Sequence, residues 1–405
     1  MSDYLNIVEE VIKAQKVIAG VARITPLSYA ETFSRLIGSD IYFKFENLQK
    51  TGSFKIRGAM NKISTLSIEE KRHGVIAASA GNHAQGVAHA ATMTGVKSTI
   101  VMPEGAPVSK AEATKNYGAT VIMAGENYDQ AFQHAQKLQD ETQATFVNAF
   151  DDYAIIAGQG TVGLEILEQC PEVEAVIVPI GGGGLISGVA GYLKERRPGI
   201  KIIGVQTENV PSMYLSRQSG KIISLEKGKS IADGINVRKP GTLTFPLVEK
   251  YVDDIVTVDD EAIVRAMLML LERSKTVVEG SGAVSLAALL AGKVSLQSKK
   301  TVLVLSGGNI DFNVISQIIE RGLVKTGRLT NIRTILEDRP SALQGLLQVI
   351  ASTGANVISV SHERLKPTIP LLQTEVTVTL ETRNKEHVQE IMDLLDCHSY
   401  TAEYF

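Results

Sequence analysis

Short runs of apolar, mostly β-branched residues alternate with longer stretches of helical spacing from about residue 39 to 322. "GVIAAS" (74–79) precedes "NHAQGVAHAATMTG", "STIVMP" (98–103) precedes "SKAEATKNYG", and "ATVIMAG" (119–125) precedes "YDQAFQHAQKLQD". "EAVIVPI" (174–180) precedes "GLISGVAGYLKERR", and "KIIGVQ" (201–206) and "TVLVLS" (301–306) are further apolar runs. This rhythm predicts an α/β fold built on parallel sheets. The runs are continuously apolar rather than alternating, as expected of strands covered on both faces.

The pattern changes after about residue 326. "GRLTNIRTILED" reads as a strand, "RPSALQGLLQVIASTG" as a helix, "ANVISVSHER" and "LLQTEVTVTLET" as strands, "NKEHVQEIMDLLDC" as a helix and "HSYTAEYF" as a last strand. The order βαββαβ is ferredoxin-like. "VKTGR" (324–328) is the expected joint, dividing residues 1–325 from a smaller domain at 326–405.

At the N-terminus, Leu5, Val8, Val11, Ile12 and Ile18 are interleaved with Glu9, Glu10, Lys13 and Lys16. That spacing predicts an amphipathic helix rather than a signal peptide, and no stretch approaches a membrane span. A cytoplasmic protein is expected. Forty-one basic against 44 acidic side chains, dispersed along the chain, give no excess to recruit nucleic acid or anionic lipid. Cys170 and Cys397 fit no metal spacing, nor do His73, His89 and His134, so buried, reduced thiols and no bound metal are expected.

Three glycine-rich turns follow expected strands: "SAGNHAQG" (79–86), "GGGGLISG" (181–188) and "SGGN" (306–309). Ligands of open α/β sheets bind at strand ends, where such loops can converge. Gly181, Gly182, Gly183 and Gly184 let backbone N–H groups approach an anion, and the helix that follows adds the positive end of its dipole. No GK[ST] follows, and Ile186 stands where a dinucleotide fingerprint needs its third glycine, so one phosphate suits the loop better than a pyrophosphate. "SAGNH" offers a second anion site of carboxylate size, or else Ser79 or Asn82 caps a helix. Ser306 ends an apolar strand. Glu279 in "VVEGSGA" is either a polar group of the pocket or a helix-start carboxylate.

"TGSFKIRGA" (51–59) places Lys55 between Phe54 and Ile56. Alone, Lys55 is either a solvated charge or an amine that does covalent chemistry. A phosphate cup, a carboxylate cup and a lysine flanked by an aromatic ring are together the parts needed for pyridoxal phosphate and an amino acid.

With "AGQGTVGLEI" (157–166), these motifs resemble, in order over about residues 5–322, the fold type II pyridoxal-phosphate enzymes and among them the threonine ammonia-lyases. The resemblance implies two open α/β subdomains, the smaller at about 50–150 inserted in the larger. It implies Lys55 as the Schiff-base lysine and carrier of the Cα proton, with Phe54 near the ring. It further implies Asn82 on the ring's 3-oxygen, Gly181 to Gly184 with Leu185 on the phosphate, and Ser306 at the pyridine nitrogen. Ser79, Gly81 and His83 would face the substrate carboxylate. The implied reaction is β-elimination from L-threonine, or from L-serine, to a keto acid and ammonia.

Two positions depart from relatives. Serine racemases of the family carry a serine where this chain has Ala80, which leaves racemisation the weaker reading. Metal-binding relatives carry acids where Gln206 and Ser212 stand here, although Glu208 leaves a divalent site open. β-Replacement on the same scaffold and a non-catalytic amino-acid sensor are the other readings. The C-terminal segment resembles an ACT domain, the amino-acid-sensing module, as in the medium-length form of the enzyme. That implies an amino-acid effector and a homotetramer. Asp338 and Asn356 are candidate partners for an effector's amine, with helix capping the alternative role of Asp338.

Overall fold

The computed structural model describes residues 6–296 and 299–405, which leaves Leu5 outside. Two compact units divide between Ile310 and Asp311. The expected joint at 324–328 falls later because the helix Phe312–Lys325 packs on the strand Leu329–Glu337 of the second unit.

In the first unit, a six-stranded sheet runs in the order Leu27–Tyr29, Ile41–Phe45, Thr301–Leu305, Ala175–Pro179, Lys201–Thr207 and Asp254–Val258. Its first pair is antiparallel and the others are parallel. A four-stranded parallel sheet, Thr120–Met123, Ser98–Met102, Val75–Ala78 and Thr145–Phe146, lies between Phe45 and Ala175 in the chain. The smaller sheet is thus an insertion in the larger. Every residue of Val75–Ala78, Ala175–Pro179 and Thr301–Leu305 is buried, which is why their sequences lack alternation.

Close helix contacts join the two sheets. The helix Tyr153–Gln169 carries the glycines of "AGQGTVGLEI", and they serve packing. A Cβ at Gly158 would lie 2.6 Å from Gly58 Cα, and one at Gly160 would lie 3.0 Å from Gly188 O. Helix backbones therefore meet with no side chain between them.

Beneath this seam lies a buried ionic cluster. Arg57 donates from Nε to Glu46 Oε2 (2.8 Å), from Nη1 to Glu165 Oε1 (2.6 Å) and from Nη2 to Glu46 Oε1 (2.8 Å). Lys44 Nζ donates to Glu165 Oε2 at 2.5 Å, to Thr25 O at 2.7 Å and to Gln169 Oε1 at 2.8 Å. Two cations and two carboxylates balance, each with side-chain exposure of 4% or less. Burial alone would raise the Glu46 carboxyl, but the Arg57 guanidinium, together with the Lys44 charge and the Thr25 hydroxyl, holds it below its ordinary range. Such a cluster adds little net stability when complete, yet breaking it strands a charge.

The second unit follows the expected βαββαβ order, in an antiparallel sheet Asn356–Glu363, Gln373–Glu381, Leu329–Glu337 and Ala402–Tyr404. Its inner strands alternate, with Thr330, Ile332, Thr334 and Leu336 buried and Asn331, Arg333 and Ile335 on the other face. The helices Ala342–Ser352 and Lys385–Cys397 share the apolar core of one side; Cys397, at the end of the second, is exposed, so of the two thiols only Cys170 is buried as expected. The open face is mostly polar, with Arg333, Glu375, Thr377 and Thr379 beside a half-exposed Ile335, and the sheet edges are left unpaired. Asn356–Glu363 is such an edge, exposed along most of its length.

Asp338 and Asn356 do not meet within one chain. Asn356 pairs with Glu381, which pairs with Leu329, whereas Glu337 pairs with Gln373 at the far end of the sheet. Eight strand steps of about 3.3 Å place them roughly 25 Å apart. Asp338 does not cap the helix either. Ser341 holds that position, and Arg364 binds the Asp338 carboxylate at 2.8 and 3.1 Å.

Arg57→Ala should lower the unfolding free energy by about 3–5 kcal/mol, because it leaves Glu46 and Glu165 buried and unpaired. Lys13→Ala, which breaks the exposed Lys13–Glu10 pair, should leave the urea midpoint where it was. Equal effects of the two substitutions would show that the buried cluster is not what joins these elements.

Candidate active site

The loops that follow the C-terminal ends of Val75–Ala78, Ala175–Pro179 and Thr301–Leu305 open on one cavity of about 1050 Å³. Its lining includes Phe54, Lys55, Ser79, Gly81, Asn82, His83, Gly181 to Gly184, Leu185 and Ser306. The residues singled out in the first unit are therefore brought together.

Lys55 opens the helix Lys55–Ser64, and neighbours pin its backbone on two sides. On one side the segment 51–54 is laced to "SGGN". Ser53 bridges Gly307, Phe54 N donates to Ser306 O at 3.2 Å, and Gly308 N donates to Gly52 O at 2.9 Å. On the other side Gly86 lies so close that a Cβ there would sit 3.1 Å from the Lys55 carbonyl carbon. The amine itself donates to Ala149 O at 2.9 Å and lies 5.2 Å from the centre of the Phe54 ring.

Burial pushes the Lys55 amine down to about 8, against the opposing pull of the Glu279 carboxylate. Burial and the negative charge of Asp233 push Glu279 up to about 7, while hydrogen bonds from Ser281 and Asn82 act the other way. Glu279 Oε1 accepts from Ser281 Oγ at 2.6 Å and from Asn82 Nδ2 at 2.7 Å. It stands at the helix-start position before Gly280–Leu290 but makes no capping bond, which resolves its two readings in favour of the pocket.

"SAGNH" starts the helix Asn82–Met93 with Gly81 as its N-cap and no side-chain cap bond, so neither Ser79 nor Asn82 plays that part. Ser79 Oγ instead accepts from Gly81 N at 3.2 Å. The N–H groups of the first helical turn have no partner within the helix. Burial and the Lys55 charge push His83 down to about 3, so its ring is neutral. Its Nε2 lies 2.8 Å from Val147 O, which requires the proton on Nε2. What His83 offers a carboxylate is its backbone N–H.

Gly183, with φ of +100°, precedes the helix Gly184–Arg196. A Cβ at Gly182 would fall 2.4 Å from the Phe150 ring, and one at Gly184 would fall 2.9 Å from Phe150 Cα. Phe150 thus demands two of the four glycines and leaves bare backbone at a helix start. Ser306 is buried and donates from Oγ to Ser281 O at 3.3 Å.

Two groups of residues went unnoticed in the sequence. The segment Asn148–Asp151 walls the phosphate-sized cup: Asn148 Oδ1 accepts from Phe150 N at 3.2 Å, and Asp151 accepts from Thr242 N and Leu243 N at 2.9 and 2.8 Å. No glycine or charge pattern marks it. At the mouth, Lys110 pairs with Asp233 at 2.7 Å and Arg238 pairs with Asp129, joining the smaller subdomain to the larger. Gln206 Oε1 accepts from Tyr214 N at 2.9 Å, and Glu208 pairs with Lys293 at 3.2 Å. Among the described residues no three His, Cys, Asp or Glu side chains gather as metal ligands.

Residues 18–307 match the sequence profile of the family described as Pyridoxal-phosphate dependent enzyme. The chain is 52% identical over 392 residues to an L-threonine ammonia-lyase of Thermotoga maritima, covering 97% of this chain and 98% of that protein. Among solved structures, a processed threonine deaminase isoform of Solanum lycopersicum superposes with a TM-score of 0.75 at 37% identity, covering 79% of this chain and 89% of that one. Maize serine racemase superposes at 0.74 with 40% identity, covering 78% and 98%. The residues present fit that cofactor. A cup whose Cβ positions Phe150 forbids faces an amine that burial favours in its uncharged form, and the Phe54 ring and the Asn82 and Ser306 side chains lie along the same cavity.

Uptake of pyridoxal phosphate by the apoprotein should quicken as pH rises, with a midpoint near 8, since only the uncharged Lys55 amine attacks an aldehyde. Glu279→Gln removes a charge that favours the protonated amine and should move the midpoint down. A midpoint at the ordinary lysine value of 10.5, or an upward move in the variant, contradicts this electrostatic account.

Proposed function

The chain belongs to the pyridoxal-phosphate dependent enzyme family, and on that premise we propose that it is a threonine ammonia-lyase acting on L-threonine to give 2-oxobutanoate and ammonia. L-Serine would give pyruvate by the same route. The observation that carries this reading is the pinned Lys55, with its amine pushed down to about 8, across one cavity from the glycine cup. The relative aligned over nearly the whole chain bears the same activity in its name.

When bound, the cofactor supplies an aldehyde that condenses with amines and a ring that draws off the electron pair left at Cα. The protein does the rest. First-turn N–H groups after Gly183 hold the phosphate, and Phe54 packs near the ring. Asn82 donates to the 3-oxygen. The backbone of Gly81 and His83, with Ser79, holds the substrate carboxylate. Lys55, near neutrality and uncharged half the time at pH 8, takes the Cα proton. Ser306 would meet the pyridine nitrogen with a hydroxyl rather than a carboxylate, a weaker hold on a ring proton that would favour elimination over transamination. Ala80 supplies no acid on the face opposite Lys55, which disfavours the racemisation named for the maize neighbour. A pocket distinguishes threonine from serine by one methyl group, worth about 1–3 kcal/mol.

The second unit we read as an ACT-like regulatory domain that binds an amino-acid effector and pairs with its copy in a homotetramer. Its exposed edge strand, with Ile358 56% exposed, supports the pairing. An effector that touches both Asp338 and Asn356 must lie between two chains, given their separation within one.

Lys55→Ala should cost at least the 10²–10⁴-fold or so that proton transfer supplies, and should remove the visible band of the bound cofactor. Turnover or a visible band that persists at the wild-type level rules out Lys55. In the full-length protein, isoleucine or valine should shift the dependence of turnover on threonine, and Asp338→Ala should move the effector midpoint. Rates unaffected by either amino acid would end the regulatory reading.

A further inference from the structure

Asn309 closes the "SGGN" turn, and its side chain is not among those assigned to the cofactor or the substrate. Its Nδ2 donates to Thr51 O at 2.8 Å and to Asn82 Oδ1 at 2.8 Å. Both hydrogens of that amide nitrogen are thereby used. Its Oδ1 lies against Gly52, where a Cβ would come within 2.1 Å. Asn82, in turn, donates from Nδ2 to Glu279 Oε1 at 2.7 Å, which leaves the second Nδ2 hydrogen for the cavity that Asn82 lines.

We propose that Asn309 is a positioning residue that sets which end of the Asn82 carboxamide faces the cavity. This rests on the reading that Asn82 donates to the cofactor's 3-oxygen. The two ends of a carboxamide are nearly equal in size, so packing does not choose between them and hydrogen bonds must. The chain Thr51–Asn309–Asn82–Glu279 has an acceptor at each end. The two ends differ in strictness. Glu279 is pushed up to about 7, so in its protonated form it can donate instead. Thr51 O is a backbone carbonyl and never donates. The direction therefore enters the chain at Thr51 and passes through Asn309. With Asn309 so fixed, Asn82 must present oxygen to it and NH₂ to the cavity, the polarity that an anionic 3-oxygen requires.

The test compares Asn82→Ala, Asn309→Ala, Asn309→Asp and the Asn82→Ala/Asn309→Ala double variant. The dissociation constant for pyridoxal phosphate is read by titrating each apoprotein and following visible absorbance, and apoprotein melting serves as the control. Asn82→Ala should weaken the cofactor about two- to tenfold, the span of one net hydrogen bond, and Asn309→Ala should weaken it by a similar factor. Asn309→Asp, although closer in shape to asparagine, should be worse than Asn309→Ala, because its carboxylate cannot donate and turns the Asn82 amide about. It should also shift the visible band. The double variant should match Asn82→Ala alone. An Asp variant milder than the Ala variant, or additive effects in the double variant, would reduce Asn309 to a packing residue. Where the Asp variant does not fold, the double variant decides. Unchanged affinity in Asn82→Ala refutes the placement of Asn82 on the cofactor, and the proposal with it. An effect of Asn82→Ala without any of Asn309→Ala refutes the proposal alone.

Discussion

The arrangement of the catalytic unit depends on one guanidinium. Arg57 reaches Glu46 beside the large sheet and Glu165 on the helix Tyr153–Gln169, with Lys44 closing the set. Buried charges tolerate little displacement, because each lost partner leaves a desolvated ion. Arg57 stands two residues after Lys55 on one helix, so the geometry that satisfies the cluster also fixes where the reactive amine emerges. Chemistry above and electrostatics below are two faces of a single turn of helix.

The glycines complete that constraint. At Gly158 and Gly86 they let backbones meet, which fixes the depth of the Lys55 helix against its neighbours. At Gly182 and Gly184 they make room for Phe150, and the bare backbone that results is what an anion meets. The same residue type serves packing on one side of the site and binding on the other. Only the neighbours distinguish the two uses.

That is also why the sequence was legible in some places and opaque in others. Covered strands such as Val75–Ala78 announce themselves by unbroken apolar runs, and the alternating strands of the second unit by their period. Lys44 interrupts the apolar run of Ile41–Phe45, and nothing local reveals that its charge is matched by Glu165, 121 positions away. Nor does anything beside Arg57 reveal its partners Glu46 and Glu165. Lys55, Asn82 and Ser306 lie in compact motifs and could be found. Phe150, Asp151 and Asn309 act through partners distant in sequence, and no spacing rule reaches them. That Asp338 and Asn356 lie at opposite ends of the sheet could not be read from the sequence, because strand register, not proximity along the chain, sets their separation.

The mouth of the cavity is held differently from its floor. Lys110–Asp233 and Arg238–Asp129 are partly exposed pairs, with side chains 24–60% accessible, whereas the Arg57 cluster is sealed. Screening over about 8 Å at physiological salt weakens the former and barely touches the latter. Added salt should therefore loosen the link between the smaller and larger subdomains at the mouth while leaving the cluster beneath it in place.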